Sequence, residues 1–82
     1  MAGLVEQVRA CLAAALKLDP SAALQITAET TAADVPAWTS VTHLSLVLEL
    51  ERALGVTFAN DEIASLASVP AILAALARKG AG

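Results

Sequence analysis

Apolar residues recur at helical spacing in three stretches of this 82-residue chain, and a proline or a glycine follows each stretch. The stretches run from about Leu4 to Leu18, from Ser40 to about Leu54, and from Val69 to Leu76. Spacings of three and four residues place side chains on one face of an α-helix. We therefore predict an all-α fold, a small four-helix bundle that forms a single domain over residues 1–82, in which the third helix is short.

Capping residues set the predicted helix boundaries. Thr39 precedes the second stretch with a hydroxyl that can accept a free backbone N–H, and Gly55 ends that stretch as a C-cap. Asn60 is the predicted cap of the short third helix. Ser68 is the predicted cap of the last helix, whose first turn tolerates Pro70.

The residues from Asp19 to Trp38 show neither a helical nor a strand period. Asp19 should end the first helix, because a residue that precedes proline avoids the helical region. We predict a long loop that is held over the core by its apolar side chains. Those side chains are Leu24, Ile26, Val35 and Trp38.

Composition excludes several classes of function. The net charge of −3 and the scattered basic residues argue against a nucleic-acid partner, which requires clustered Lys and Arg. No apolar run approaches the roughly 20 residues of a membrane span, and the N-terminus does not resemble a signal peptide, so we expect a cytoplasmic monomer. Cys11 is alone, and a buried, inert thiol is favoured over a reactive one.

The second predicted helix has too many apolar residues for a single buried face. At about 100° per residue, five residues share a core-facing arc: His43, Leu46, Val47, Leu50 and Leu54. A second arc roughly opposite contains Val41, Leu44 and Leu48. Either the long loop covers this second arc, or it is exposed and docks other proteins; we favour docking. Its predicted polar rim consists of Ser45, Glu51 and Arg52.

Ser40 would occupy the first position of this helix, at one end of the second arc. A phosphodiester attached there would face the free N–H groups and the positive end of the helix dipole. Most serines at helix starts serve only as caps, so the position alone does not assign a function.

The stretch Trp38-Thr39-Ser40-Val41-Thr42-His43-Leu44 is similar to the Trp-Asp-Ser-Leu-Gly-His-Leu form of the carrier-protein motif. The segments downstream also follow the order and spacing of an acyl carrier protein: Leu46 to Glu51, Gly55 to Phe58, Asp61 to Ile63, Ser68-Val69 and Ile72 to Leu76.

The resemblance implies a four-helix bundle without enzymatic activity of its own. It further implies that a phosphopantetheinyl transferase attaches 4'-phosphopantetheine from coenzyme A to Ser40. The arm would carry an acyl group as a thioester to ligases, acyltransferases or ketosynthases, which the family docks through its second helix.

Three departures from the family pattern refine this expectation. Thr39 stands where the family usually has Asp, Val41 where it usually has Leu, and Arg52 where many relatives are acidic. They favour polyketide or other specialised metabolism over housekeeping fatty-acid synthesis. The alternative is an unmodified carrier-like interaction module, in which Ser40 serves only as a cap.

The remaining polar and aromatic residues near Ser40 are expected to be structural. His43 lies three residues after Ser40, but no acidic residue is evidently placed to orient its ring, so a hydrogen-bonded packing histidine is favoured over a catalytic base. Trp38 should be a core residue rather than a platform for ligand stacking. Glu49 and Glu51 should be solvated or face a partner, and no cluster of metal ligands is present in the sequence.

Overall fold

The computed structural model describes residues 3–80, and the fold is all-α, with no strand among these residues. The helices in chain order are α1 Leu4–Leu16, α2 Pro20–Leu24, α3 Ser40–Leu54, α4 Asn60–Ile63 and α5 Val69–Arg78, with a 3₁₀ turn at Ala32–Asp34. The predicted all-α class is confirmed, and α1, α3 and α5 correspond to the three periodic stretches.

The predicted caps of α3 and α5 are confirmed. The Thr39 hydroxyl accepts the N–H of Thr42 at 3.3 Å. The Ser68 hydroxyl accepts the N–H of Ala71 at 3.1 Å, and Pro70 lies in the first turn of α5. Gly55 ends α3 at φ 66°, a left-handed conformation that favours glycine.

The predicted cap of α4 is wrong by one residue, because Asn60 is the first helical residue and Ala59 precedes it. Alanine has no side-chain acceptor, so it cannot cap a backbone N–H. The Glu62 carboxylate instead reaches back and accepts the N–H of Ala59 at 2.8 Å. A residue in the third position therefore satisfies the start of this helix.

The core forms where the apolar faces of the three longer helices meet, and α1 packs against both α3 and α5. Its largest fully buried side chains are Val8, Leu12, Leu46, Leu50, Leu66, Val69, Ile72 and Leu76. The first helix ends at Leu16, two residues before the predicted end, because Lys17 adopts a left-handed conformation with φ 55°.

The segment between α1 and α3 has more regular structure than predicted. Asp19 does not merely stop α1. Its carboxylate accepts the N–H of Ala22 at 2.7 Å, and Pro20 starts the one-turn helix α2. Proline suits this position because its fixed φ is helical and it has no N–H to satisfy. Leu24 at the end of α2 is 74% exposed, so the prediction that it anchors the loop is wrong.

The other three predicted anchors do pack against the core: Ile26 and Trp38 are buried, and Val35 is partly buried. Backbone hydrogen bonds add a second kind of attachment. The Thr30 carbonyl accepts the N–H of Val69 at 2.7 Å. The N–H of Ala32 donates to the carbonyl of Ala67 at 2.9 Å. These bonds fasten the loop to the start of α5.

Candidate functional site

Ser40 is the first residue of α3, and its side chain is exposed. The capping acceptor of this helix is the neighbouring Thr39 hydroxyl. None of the hydrogen bonds within residues 3–80 involves the Ser40 hydroxyl. The Ser40 oxygen is therefore accessible to another molecule and has no part in capping.

The backbone around Ser40 is fixed by a reciprocal capping box. The Thr42 hydroxyl accepts the N–H of Thr39 at 2.8 Å and donates to the carbonyl of Ala37 at 2.6 Å. In the described chain the N–H groups of Ser40 and Val41 have no protein acceptor. Free N–H groups and the helix dipole make this end of α3 favourable for a phosphate group carried on the serine.

Beyond Ser40, three aliphatic side chains on α3 lie in solvent: Val41 is 76%, Leu44 58% and Leu48 66% exposed. They occupy one side of the helix, whereas Leu46 and Leu50 on the opposite side are fully buried. The preceding loop does not cover them, so the second apolar arc is exposed, and docking through it stays a prediction. We call Val41, Leu44 and Leu48 the exposed strip.

The polar residues predicted to form the rim differ in their surroundings. Ser45 is exposed, and the Arg52 guanidinium is exposed and paired with the Glu49 carboxylate one turn earlier. Glu51 is not simply solvated, as the sequence suggested, because its half-buried carboxylate accepts the N–H of Phe58 at 2.9 Å. Glu51 therefore stabilises the connection that leaves α3.

His43 joins three parts of the fold beside Ser40. Its Nδ1 accepts the indole N–H of Trp38 at 2.9 Å, and its Nε2–H donates to the Ile63 carbonyl at 2.8 Å. An indole nitrogen can only donate and a carbonyl can only accept, so the ring must be the neutral tautomer with hydrogen on Nε2. Both ring nitrogens are occupied, and the predicted packing role is confirmed; neither nitrogen is free to activate Ser40.

A cavity of about 190 Å³ lies next to Ser40, between the end of the loop, the first turn of α3 and the segment that links α4 to α5. Its lining consists of Ala32, Trp38, Thr39, Ser40, His43, Ala64 and Ala67. The three alanines carry no chemical signal in the sequence, so the motif around Ser40 did not predict them, and they line this space because they are small.

Cys11 is a buried thiol in the interface of α1 and α3, as predicted, and its Sγ lies 3.8 Å from the Glu49 carbonyl. Burial raises the pKa of the Cys11 thiol, and the nearby Glu49 carboxylate raises that pKa further. The part of the chain that the structure describes contains no group of three or more His, Cys, Asp and Glu side chains suited to a metal ion. Among residues 3–80, no helix combines the length and the apolar character that crossing a membrane requires.

Comparison with known proteins gives no match: no family model, no curated protein and no solved structure matches this chain.

Proposed function

We propose that the chain is an acyl carrier protein that holds a phosphopantetheine arm on Ser40. The observation that carries the proposal is the Ser40 hydroxyl, which is exposed at the start of a 15-residue helix. It does not cap the helix, because the Thr39 hydroxyl accepts the capping hydrogen bond. Most serines at helix starts accept a backbone N–H. A serine that does not, and that stands beside free N–H groups, is well placed to carry a phosphodiester.

The arrangement of the helices supports the same proposal. We assign α1, α3, α4 and α5 to the four helices of a carrier-protein bundle, with α2 as an additional turn in the first loop. In this assignment the attachment serine starts the second bundle helix. The cavity beside Ser40 would then contact the portion of the arm nearest the phosphate. The residues that could hold 4'-phosphopantetheine are Ser40, through its Oγ, and the surrounding first turn of α3.

The proposed carrier supplies attachment and presentation, and its partners supply the chemistry. A phosphopantetheinyl transferase would form the bond between Ser40 Oγ and the phosphorus of coenzyme A that carries the pantetheine group. The pyrophosphate P–O bond would break, with 3',5'-adenosine diphosphate as the leaving group. The Ser40 proton would pass to a base of the transferase, because both nitrogens of His43 are occupied. Ligases, acyltransferases or ketosynthases of a specialised pathway would then load and process the acyl thioester.

The test is the intact mass of the protein after incubation with coenzyme A and a broad-specificity phosphopantetheinyl transferase. We expect a mass gain equal to one phosphopantetheine arm. Ser40→Ala should show no gain, and Ser21→Ala, which removes an exposed serine of α2 outside the exposed strip, should be modified like the wild type. Both variants place alanine in a helix, where it is the most favourable residue, so neither should unfold the domain.

The second candidate is an unmodified interaction module that uses the same exposed strip. The threonine at position 39 is the observation that favours it, since Thr39 lacks the negative charge of the usual aspartate. A wild-type protein whose mass does not change with the transferase would support this module and refute the carrier.

A further inference from the structure

The charged side chains that flank the exposed strip are engaged within the chain. Counted at 100° per residue from Ser40, the strip spans roughly 40° to 100° of the helix circumference. Glu51 follows at roughly 20° on one side and Arg52 at roughly 120° on the other. The Glu51 carboxylate accepts the Phe58 N–H, and the Arg52 guanidinium pairs with Glu49.

The start of α3 is also without an acidic side chain, because its capping residue is Thr39 and its first turn contains no Asp or Glu. A protein that approaches Ser40 along α3 therefore meets three aliphatic side chains between an internally bound carboxylate and an ion pair. Glu51 keeps its negative charge, because a hydrogen bond to a neutral N–H does not neutralise a carboxylate, but the other acidic residue of α3, Glu49, is paired with Arg52. Strong attraction to a basic surface requires several unpaired acidic groups facing that surface, and α3 offers one. Apolar contact is the remaining source of affinity on this face.

We propose that the enzymes acting on Ser40 recognise this chain through an apolar recess that receives Val41, Leu44 and Leu48, and not through a cluster of basic residues. This inference rests on the proposed carrier function and specifies its partner chemistry. The charge pattern of α3 identifies the partner surface: non-polar where it covers the strip, and bordered by uncharged polar groups opposite Glu51 and Arg52. Such a partner loses no ion pair when salt screens the surfaces.

A second copy of the chain is a less suitable occupant of the strip. Three aliphatic side chains supply only a few hundred Å². Stable interfaces bury roughly 800 Å² on each partner. The strip is sized for transient contact that is completed by the modified serine, as repeated transfer between enzymes requires.

The experiment measures arm transfer by a broad-specificity phosphopantetheinyl transferase at saturating coenzyme A, with the concentration of the unmodified chain varied. Raising NaCl from about 0.1 M to about 1 M shortens the Debye length from about 10 Å to about 3 Å. We expect the KM for the chain to change by less than about twofold over this range. Leu48→Ala should raise that KM about fivefold, which corresponds to a loss of about 1 kcal/mol of apolar contact.

Leu24→Ala is the matched control, since Leu24 is equally exposed but lies on α2, and its KM should equal that of the wild type. The double variant Thr39→Asp, Arg52→Glu adds acidic charge beside the strip. Its KM should rise with salt, which shows that the assay detects electrostatic docking. Circular dichroism verifies that each variant is folded.

The possible outcomes distinguish a failure of the proposed carrier function from a failure of the proposed apolar recess. If the wild type gains no arm, the carrier function fails and the partner inference fails with it. If the arm is transferred but the wild-type KM rises tenfold or more with salt, or Leu48→Ala matches Leu24→Ala, the carrier function stands and the apolar recess is refuted. A chain that sediments as a dimer, and that Leu48→Ala converts to a monomer, would assign the strip to self-association and would also refute it.

Discussion

Leu46→Ala and Leu48→Ala remove the same atoms two positions apart on α3 and should have very different effects on stability. Leu46 is 0% exposed in the core between the helices, whereas Leu48 is 66% exposed on the opposite side. Comparing the stability of the two variants therefore tests which side of α3 is buried and which is exposed. Both proposals depend on that assignment. The backbone is equally helical at the two positions, so helix propensity affects both variants alike.

The size of the difference follows from burial. Truncation of a fully buried leucine removes its transfer free energy and leaves a cavity, at a cost of about 3 kcal/mol. Domains of this length unfold with about 4–12 kcal/mol, so this loss is a large fraction of the total. At a urea dependence of about 1 kcal/mol per molar, the unfolding midpoint should fall by about 3 M. Truncation of the exposed Leu48 should cost less than about 0.5 kcal/mol.

Urea unfolding followed by far-ultraviolet circular dichroism provides the measurement, with Leu24→Ala as a second exposed leucine for comparison. We expect Leu48→Ala and Leu24→Ala to unfold close to the wild type and Leu46→Ala far below it. A loss of about 1.5 kcal/mol or more for Leu48→Ala would mean that the strip is packed in solution, and the assignment of the two faces of α3 would be wrong.

Two further predictions concern ionisable groups. The N–H of Ala59, and then Lys79, hold the pKa of Glu62 below its ordinary value. The stabilisation that ionised Glu62 gives to the fold is therefore present above the unfolded-state pKa and is lost as the pH falls through the lower folded-state pKa. The difference in Tm between wild type and Glu62→Gln should narrow from about pH 6 towards about pH 3. A difference in Tm that does not depend on pH would contradict this. Burial raises the pKa of the Cys11 thiol. A thiol reagent at mildly alkaline pH should therefore label Cys11 readily only in denaturant. Rapid labelling of the native protein would show that this thiol is open to solvent.

The longer helices could be predicted because each has a period and an end signal in the sequence, and α3 and α5 also have a capping residue. Three signals predict the same 15-residue helix α3. They are the Thr39 hydroxyl at its start, the helical spacing of its apolar residues, and Gly55 at its end. The secondary structure of such a segment can be predicted from the sequence because its local propensity agrees with its packing in the fold. The same helical geometry placed Ser40 and the strip away from the core-facing arc, whereas the exposure of the strip was one of two alternatives.

The errors in the loop arose from residues with two possible roles. The pair Asp19-Pro20 ends one helix and begins another, and the stop signal alone was recognised. Leu24 then appeared to be an anchor because it is apolar, although attachment there depends on Ile26 and on backbone bonds such as that between Thr30 and Val69. A backbone hydrogen bond between residues nearly 40 positions apart, such as that between Thr30 and Val69, cannot be predicted from the pattern of side chains.

The structural roles of acidic residues were equally hidden. Glu51 falls on the outer side of α3 by its angle, and only the path of the chain after Gly55 brings the N–H of Phe58 to its carboxylate. The Glu62 carboxylate accepts the N–H of Ala59, which precedes α4, although Asn60 has the side chain typical of a cap. A long carboxylate side chain can reach a backbone group that no helical wheel places beside it.

The position of the arm on the chain tests the central claim most directly. After incubation with coenzyme A and the transferase, fragmentation of the protein in a mass spectrometer distinguishes Ser40 from its hydroxyl-bearing neighbours Thr39, Thr42 and Ser45. The account predicts that every fragment with the added phosphopantetheine includes Ser40, and that fragments ending before it are unmodified. A protein that stays unmodified, or that carries the group on any of the other three residues, would contradict it.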